Sequence, residues 1–195
     1  MITMVVDKLR RNQEGVSVVE FAMIAPVLCM MMLGMFDMAY NMYANQMLHG
    51  AVQEAARDST LEGATEASLD ASVTNAVNDV VGGATMTFNR KAYASFSAVA
   101  QEEDYTDINN DGTCNDGEPF EDANRNGIWD SDQGEAGNGG ARDAILYEVS
   151  IRYARAFPIA PFIGISPFHE TTATTVLRNQ PFDGAIDRTT TGNCV

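Results

Sequence analysis

The segment with the most distinctive chemistry is an acidic stretch from Glu102 to Glu135, which holds twelve of the chain's 27 carboxylates. Within this stretch, residues 107–118 match the twelve-residue calcium-loop signature. The matching positions 1, 3, 5, 6 and 12 are Asp107, Asn109, Asp111, Gly112 and Glu118. In that signature alternate oxygens converge on a hard cation, glycine permits a sharp turn, and the final glutamate binds with both oxygens. Thr113 at position 7 would offer its backbone carbonyl. The spacing therefore predicts a calcium site.

A second copy of the pattern begins four residues later. Its members at positions 1, 3, 5, 6, 7 and 9 are Asp122, Asn124, Asn126, Gly127, Ile128 and Asp130. Position 12 is Gln133, so Asp132 or Glu135 would have to complete this loop. Only three residues separate the two loops, too few for a helix, so they are not EF-hands. We expect one or two calcium ions here; the alternative is an acidic loop whose charges keep it soluble, with N-D-G and R-N-G as turn signals.

The three cysteines lack metal-site spacing, and Cys29 lies inside an apolar run. Cys114 and Cys194 remain as one candidate disulfide, which requires that this part of the chain sits in an oxidising compartment. Two free thiols are the alternative.

Charge and motif content exclude several function classes. A net charge of -15 with only 12 basic residues argues against nucleic acid as a partner. The histidines, His49 and His169, belong to no recognisable catalytic pattern, and the sequence has no P-loop, nucleophile elbow or dinucleotide-binding motif. We therefore predict no catalytic residues and no enzyme activity.

An apolar segment near the N-terminus has the length of a membrane span. Residues 16–36 carry one charge, Glu20, and as a helix would measure about 31 Å. Basic residues precede it at positions 8, 10 and 11, whereas the next one after it is Arg57, so the N-terminus is predicted to be cytoplasmic and the rest of the chain exported. An apolar stripe, Tyr40, Tyr43, Met47, Ala51 and Ala55, continues the helix to about residue 61. A secretory signal peptide and a plain anchor are the simpler alternatives.

Glu20 is the most informative residue of the span, because a carboxylate in hydrocarbon needs a partner. Cleavage after Gly15 would make Val16 the new amino terminus and Glu20 the fifth residue, about one helical turn away. Glu20 and Phe21 stand five and six positions after Gly15, and Pro26, F-D-M-A-Y around Asp37 and A-A-R at 55–57 follow. In this combination the chain resembles the TadE-like family, whose members are similar to type IV pilins.

The resemblance implies removal of the leader by a prepilin peptidase and a role as a minor pseudopilin or assembly factor of a Tad-type adhesive pilus. Implied partners are other pilins or pseudopilins, inner-membrane pilus assembly proteins and the peptidase. The implied location is the bacterial inner membrane, with a single pass and a periplasmic head, or the extracellular pilus itself. The rival interpretation is a single-pass envelope protein whose head serves calcium-dependent adhesion or sensing.

The predicted fold class is α+β, with a basic leader at 1–15, a long helix at 16–61 and a head at 62–195 that carries an acidic insertion at 102–140. Apolar periodicity predicts a second helix over 64–81. Aromatic and β-branched residues, alternating with polar ones, predict strands over 85–91, 93–99, 144–153 and 171–178. We expect these strands to form a small antiparallel sheet against which the second helix packs.

Overall fold

The computed structural model describes residues 16–59, 65–158, 160–179, 184, 188 and 190–195. Its helices are α1 (Val16–Asp58), α2 (Glu66–Asn78) and the short α3 (Ala160–Ile163). Its strands are β1 (Thr85–Tyr93), β2 (Pro119–Asp122), β3 (Glu135–Ala136), β4 (Ala144–Ala154), β5 (Phe168–Arg178) and β6 (Thr190–Asn193). A long apolar N-terminal helix, a second helix and an antiparallel sheet confirm the predicted α+β class.

The chain divides into two compact units, which we describe separately. The anchor unit consists of the described residues up to 43 together with residues 154–169. The head unit consists of residues 44–153 and the described residues after 169. Helix α1 and strands β4 and β5 each contribute residues to both units.

In the anchor unit, the first half of α1 exposes apolar side chains along its whole surface. None of its most apolar 18-residue window is buried within the protein, and the mean hydropathy of that window is 2.1. Pro26 lies inside the helix, where a membrane helix tolerates it. By length and composition α1 can cross a membrane once, in agreement with the predicted single span.

The second half of α1 buries one face in the head unit. Its buried residues recur at spacings of three and four: Ala44, Leu48, Ala51, Val52 and Ala55. The predicted stripe is confirmed at Ala51 and Ala55 but is wrong at Tyr43, which is 56% exposed. The buried face follows Ala44 and Leu48, and Tyr43, one residue before Ala44, lies about 100° around the helix from it.

Helix α2 begins with a reciprocal cap between Thr65 and Ser68. The Ser68 amide donates to Thr65 Oγ1 at 3.3 Å, and the Thr65 amide donates to Ser68 Oγ at 3.2 Å, which satisfies two of the free N–H groups at the helix start. Val73 and Val77 are buried. The predicted helix is thus confirmed, within shorter bounds.

The larger sheet has the order β3-β1-β4-β5, and β1 runs antiparallel to β4 from Thr85, opposite Arg152, to Tyr93, opposite Ala144. Alternate residues of β4 are buried, as predicted: Ile145, Tyr147, Val149, Ile151 and Tyr153. The strand predicted at 93–99 is wrong beyond Tyr93, since Phe96–Ala98 is a 3-10 turn. The Ala98 amide donates to the Ser95 carbonyl at 3.2 Å, a local turn bond in place of a bond to a neighbouring strand.

A second, two-stranded sheet joins the acidic insertion to the C-terminus. Strand β2 pairs antiparallel with β6, from Pro119 opposite Asn193 to Asp122 opposite Thr190. Phe120 is buried over Gly192, where a Cβ atom would come within 2.4 Å of its ring. The insertion is therefore built into the head by the last residues of the chain.

Candidate functional site

The first loop, residues 107–118, coils around its own acidic side chains. Asp107 Oδ1 accepts the Asp111 amide at 3.2 Å, and its Oδ2 accepts the Gly112 amide at 3.0 Å. Asn109 Oδ1 accepts the Asp111 amide at 2.9 Å, and Asp111 Oδ1 accepts the Thr113 amide at 2.9 Å. Asn110 has a φ of 61° and Gly112 one of 76°, a left-handed conformation that asparagine and glycine adopt most readily.

Glu118, at position 12, is the last residue of the first loop and is only 2% exposed. Its Oε1 accepts the amide of Ile108 at 2.6 Å and that of Asn109 at 3.3 Å. Its Oε2 accepts the Asn115 amide at 3.3 Å. The carboxylate is thereby fixed against positions 2, 3 and 9 of the loop.

The second loop, residues 122–133, follows the same backbone path. Asp122 Oδ1 accepts the Asn126 amide at 3.0 Å, and its Oδ2 accepts the Gly127 amide at 2.9 Å. Asn124 Oδ1 accepts the Asn126 amide at 3.1 Å, and Asn126 Oδ1 accepts the Ile128 amide at 2.7 Å. The φ angle is 62° at position 4, which is occupied by an arginine, and 79° at Gly127, close to the first loop's values at the same positions.

The residues predicted to complete the second loop are engaged elsewhere. Asp132 Oδ2 forms an ion pair with Lys91 Nζ at 2.5 Å. Asp132 and Asp130 line the same open depression. Glu135 pairs with Arg125 at 2.7 Å and with Arg188 at 3.1 Å. Both carboxylates line this depression together with Asn124, Asn126 and Asp130, but each is paired with a basic side chain there.

Glu103 occupies that place in the second loop, and the sequence pattern did not indicate it. It is 1% exposed, and its Oε1 accepts the amide of Ala123 at 2.9 Å and that of Asn124 at 3.4 Å. Its Oε2 accepts the Asp130 amide at 3.0 Å. Burial raises the pKa of Glu103, while its backbone hydrogen bonds act in the opposite direction. Because Glu103 stands twenty residues before Ala123, no loop signature contains it.

Side-chain amides lie between the carboxylates inside both loops. Asp111 Oδ2 accepts from Asn109 Nδ2 at 2.9 Å and from Asn115 Nδ2 at 2.8 Å. Asp130 Oδ2 accepts from Asn124 Nδ2 at 2.8 Å and from Asn126 Nδ2 at 2.6 Å. Across the described parts of the chain, no three His, Cys, Asp or Glu side chains converge as a metal-binding group. A cation would require the amides to turn their oxygens inward, so that amide and carbonyl oxygens join the carboxylates.

Cys114 and Cys194 form a disulfide with their Cα atoms 5.3 Å apart. Backbone hydrogen bonds flank it, from the Gly117 amide to the Cys194 carbonyl at 3.0 Å and from the Cys194 amide to the Glu118 carbonyl at 2.8 Å. Cys29 is free and exposed. The bond ties position 8 of the first loop to the C-terminus.

The anchor unit contains a buried ion pair just after the apolar part of α1. Asp37 is 5% exposed, and its Oδ2 accepts from the Arg155 guanidinium and from Asn41 Nδ2, the latter at 3.0 Å. Arg155 also donates through Nε to the Ser166 carbonyl at 3.0 Å. Burial and the Arg155 charge lower the pKa of His169, against a smaller effect of Asp37. Arg155 thus holds the 154–169 segment to the helix.

Of the predicted processing residues, Gly15 lies outside the described residues, and Val16 is the first residue of α1. Glu20 and Phe21 are both exposed, Phe21 at 66%. Glu20 forms no ion pair with any residue that the structure describes. The Glu20 carboxylate is therefore exposed on the surface of an otherwise apolar helical segment.

Residues 15–57 match the model of the TadE-like protein family. The predicted resemblance is confirmed over this segment, which covers α1 almost to its end. Neither a curated protein nor a solved structure matches the chain. The match to the TadE-like family suggests a protein associated with the Tad pilus, and the one long apolar helix in the described part of the chain fits a single-pass membrane protein.

Proposed function

We propose that this TadE-like chain is a minor pseudopilin or assembly factor of a Tad-type pilus. It crosses the bacterial inner membrane once through α1, with the leader in the cytoplasm and the head outside. A prepilin peptidase removes the leader after Gly15, and the partners are other pilins or pseudopilins and inner-membrane assembly proteins. The family match over residues 15–57, on a helix whose apolar half is unburied, carries this proposal.

The electrostatics of Glu20 support processing. Glu20 is the only charge in residues 16–36, and a charged side chain inside a membrane helix is costly, by about 2.5–3.5 kcal/mol at the centre and by less near the ends, where Glu20 lies. Cleavage after Gly15 creates an amine at Val16, which is separated from Glu20 by a rise of about 6 Å along the helix. That amine, on the same chain or on a neighbouring subunit, neutralises the carboxylate.

Processing is tested by mass spectrometry of the protein isolated from its native host, with Gly15→Leu as the blocking variant. We expect the wild-type chain to begin at Val16 and the variant to keep its leader. A wild-type chain with an intact leader, or one cut beyond Phe36, would contradict the proposal.

Assembly is tested by Glu20→Gln, which removes the charge and keeps the side-chain size. We expect loss of pilus production and of co-purification with partner subunits. Glu54→Gln is the matched control, because Glu54 is exposed on the same helix, outside the apolar segment. Normal pili in Glu20→Gln would remove the electrostatic basis of the assignment.

A single-pass envelope protein with a calcium-dependent adhesion or sensing head is the second candidate, favoured by the two acidic loops. It shares the membrane span with the first candidate but needs no leader removal. The position of the mature N-terminus therefore separates the two.

We also propose that the first loop binds calcium, under either candidate. Its ligands would be oxygens of Asp107, Asn109, Asp111 and Glu118 and the Thr113 carbonyl. The burial of Glu118 without a basic partner in the described chain supports this, since such a carboxylate needs positive charge nearby. Calorimetric titration of the full chain in detergent should lose one calcium site in Glu118→Gln. Glu121→Gln, which removes an exposed charge in the same segment, should retain it.

A further inference from the structure

We propose that Glu103 is the ligand that completes a second calcium site in the 122–133 loop. The other ligands would be oxygens of Asp122, Asn124, Asn126 and Asp130 and the Ile128 carbonyl. The inference rests on the proposed calcium binding of the first loop and identifies a ligand that lies outside both loop patterns.

Glu103 contacts the second loop at the same positions at which Glu118 contacts the first. Glu118 Oε1 accepts the amides of positions 2 and 3 of its loop, and Glu103 Oε1 accepts the amides of the same positions in the second loop. The other oxygen of each glutamate accepts the amide of position 9. Glu103 therefore supplies from an adjacent segment the carboxylate that Glu118 supplies from within the first loop.

The carboxylates of Glu103 and Asp122 are both buried and form no ion pair with a described basic residue. Glu103 is 1% exposed and Asp122 6% exposed, and no described basic residue forms an ion pair with either. The nearby basic side chains pair with other groups: Lys91 with Asp132, Arg125 with Glu135, and Arg188 with Asp143, Glu135 and the Ala123 carbonyl. Two adjacent buried carboxylates repel each other and lose hydration, and a bound cation removes both penalties.

With Glu103 included, the two loops have the same number of carboxylates. The first loop has Asp111 at position 5 and Asn115 at position 9, whereas the second has Asn126 at position 5 and Asp130 at position 9. With the position-1 aspartate and the closing glutamate, each site then contains three carboxylates. Without Glu103 the second site would have only two. Three carboxylates with neutral oxygen donors are a hard-ligand set suited to calcium.

The segment around Glu103 is held in place independently of any cation. The Glu103 amide donates to the Asp130 carbonyl at 3.0 Å, and Trp129 Nε1 donates to the Glu103 carbonyl at 2.8 Å. The Gln133 amide donates to the Gln101 carbonyl at 2.9 Å. Trp129 is at position 8 of the second loop, the position at which Cys114 fastens the first loop to the C-terminus. Each loop is therefore tied at position 8 to a distant segment of the chain.

Trp129 also provides a reporter for the second site, because it is the chain's only tryptophan. The full-length protein in detergent is freed of metal with a chelator and titrated with calcium by calorimetry. In parallel it is titrated with terbium, a luminescent calcium substitute, with excitation at the red edge of tryptophan absorption. Glu103→Gln is compared with Glu118→Gln and with the control Glu102→Gln, whose site is exposed. Circular dichroism verifies that each variant is folded.

We expect two calcium sites in the wild type and in Glu102→Gln, and one in each of the other variants. Tryptophan-sensitised terbium emission should be lost in Glu103→Gln and retained in Glu118→Gln. Absence of calcium binding in the wild type would defeat the underlying calcium proposal. Two unchanged sites in a folded Glu103→Gln protein would overturn the role of Glu103 while leaving the first loop's site in place.

Discussion

Asp70 connects α2 to two strands of the head, and its removal should be costly. Its Oδ1 accepts the Tyr147 hydroxyl at 2.8 Å, and its two oxygens accept from Arg90 at 2.5 and 3.2 Å. The Arg90 guanidinium lies 4.3 Å from the centre of the Tyr147 ring. Asp70→Ala would leave a cation with 11% side-chain exposure and a buried hydroxyl without their acceptor.

The magnitude follows from the degree of burial. Breaking a buried ion pair from one side costs about 3–5 kcal/mol. The Asp70 side chain is 25% exposed, so water recovers part of that and we expect a loss of about 2–3 kcal/mol. Tyr147→Phe removes only the hydroxyl and should cost about 1 kcal/mol. Asp79→Ala, at an exposed position of the same segment, should change stability by less than about 0.5 kcal/mol.

Denaturant unfolding followed by circular dichroism measures these differences, and a pH series gives a second test. Burial, with the hydrogen bond to Asp70, raises the pKa of Tyr147. Above the ordinary tyrosine pKa of about 10 the unfolded chain loses this proton while the folded chain keeps it, so stability falls as pH rises. Tyr147→Phe should weaken that fall. An Asp70→Ala protein whose stability lies within about 0.5 kcal/mol of wild type, the scale of a neutral surface substitution, would refute the reasoning.

Two further predictions concern the other fastened segments. Replacing both Cys114 and Cys194 by alanine removes a disulfide that joins residues 80 positions apart, and should lower the free energy of unfolding by up to about 4.5 kcal/mol. The control Cys29→Ala should not change the unfolding of the head. A double variant as stable as the wild type would contradict this prediction. A double-mutant cycle of Asp37→Asn and Arg155→Met, measured by thermal unfolding in detergent, should give a coupling free energy of about 2–3 kcal/mol. Additive losses of stability in the double variant would show that the two side chains do not interact.

Sequence patterns predicted those elements that are formed by residues close together in the chain. The alternation at Ile145, Tyr147 and Val149 predicted the central strand because one face of a sheet must be buried. The position of Gly112 after Asp107 predicted a sharp turn, and Gly112 has a φ of 76° and donates its amide to the Asp107 carboxylate. Calcium binding, and the removal of the leader, stay predictions.

What the sequence did not indicate depends on tertiary pairing. Glu103 reaches the second loop only because the Gln101–Glu103 segment pairs with Asp130 and Gln133, and no spacing rule connects these segments. Arg155 meets Asp37 at a separation of 118 residues, beyond any motif. Sequence patterns record which residues share a turn or a face, whereas these contacts depend on which faces meet.

The measurement that bears most directly on the central claim is the mass of the N-terminal peptide of the mature protein, purified from the membranes or pili of its native host. Leader removal after Gly15 predicts a peptide that starts at Val16, with Glu20 as its fifth residue. A peptide that still contains Gly15, or one that starts after Phe36, would contradict it.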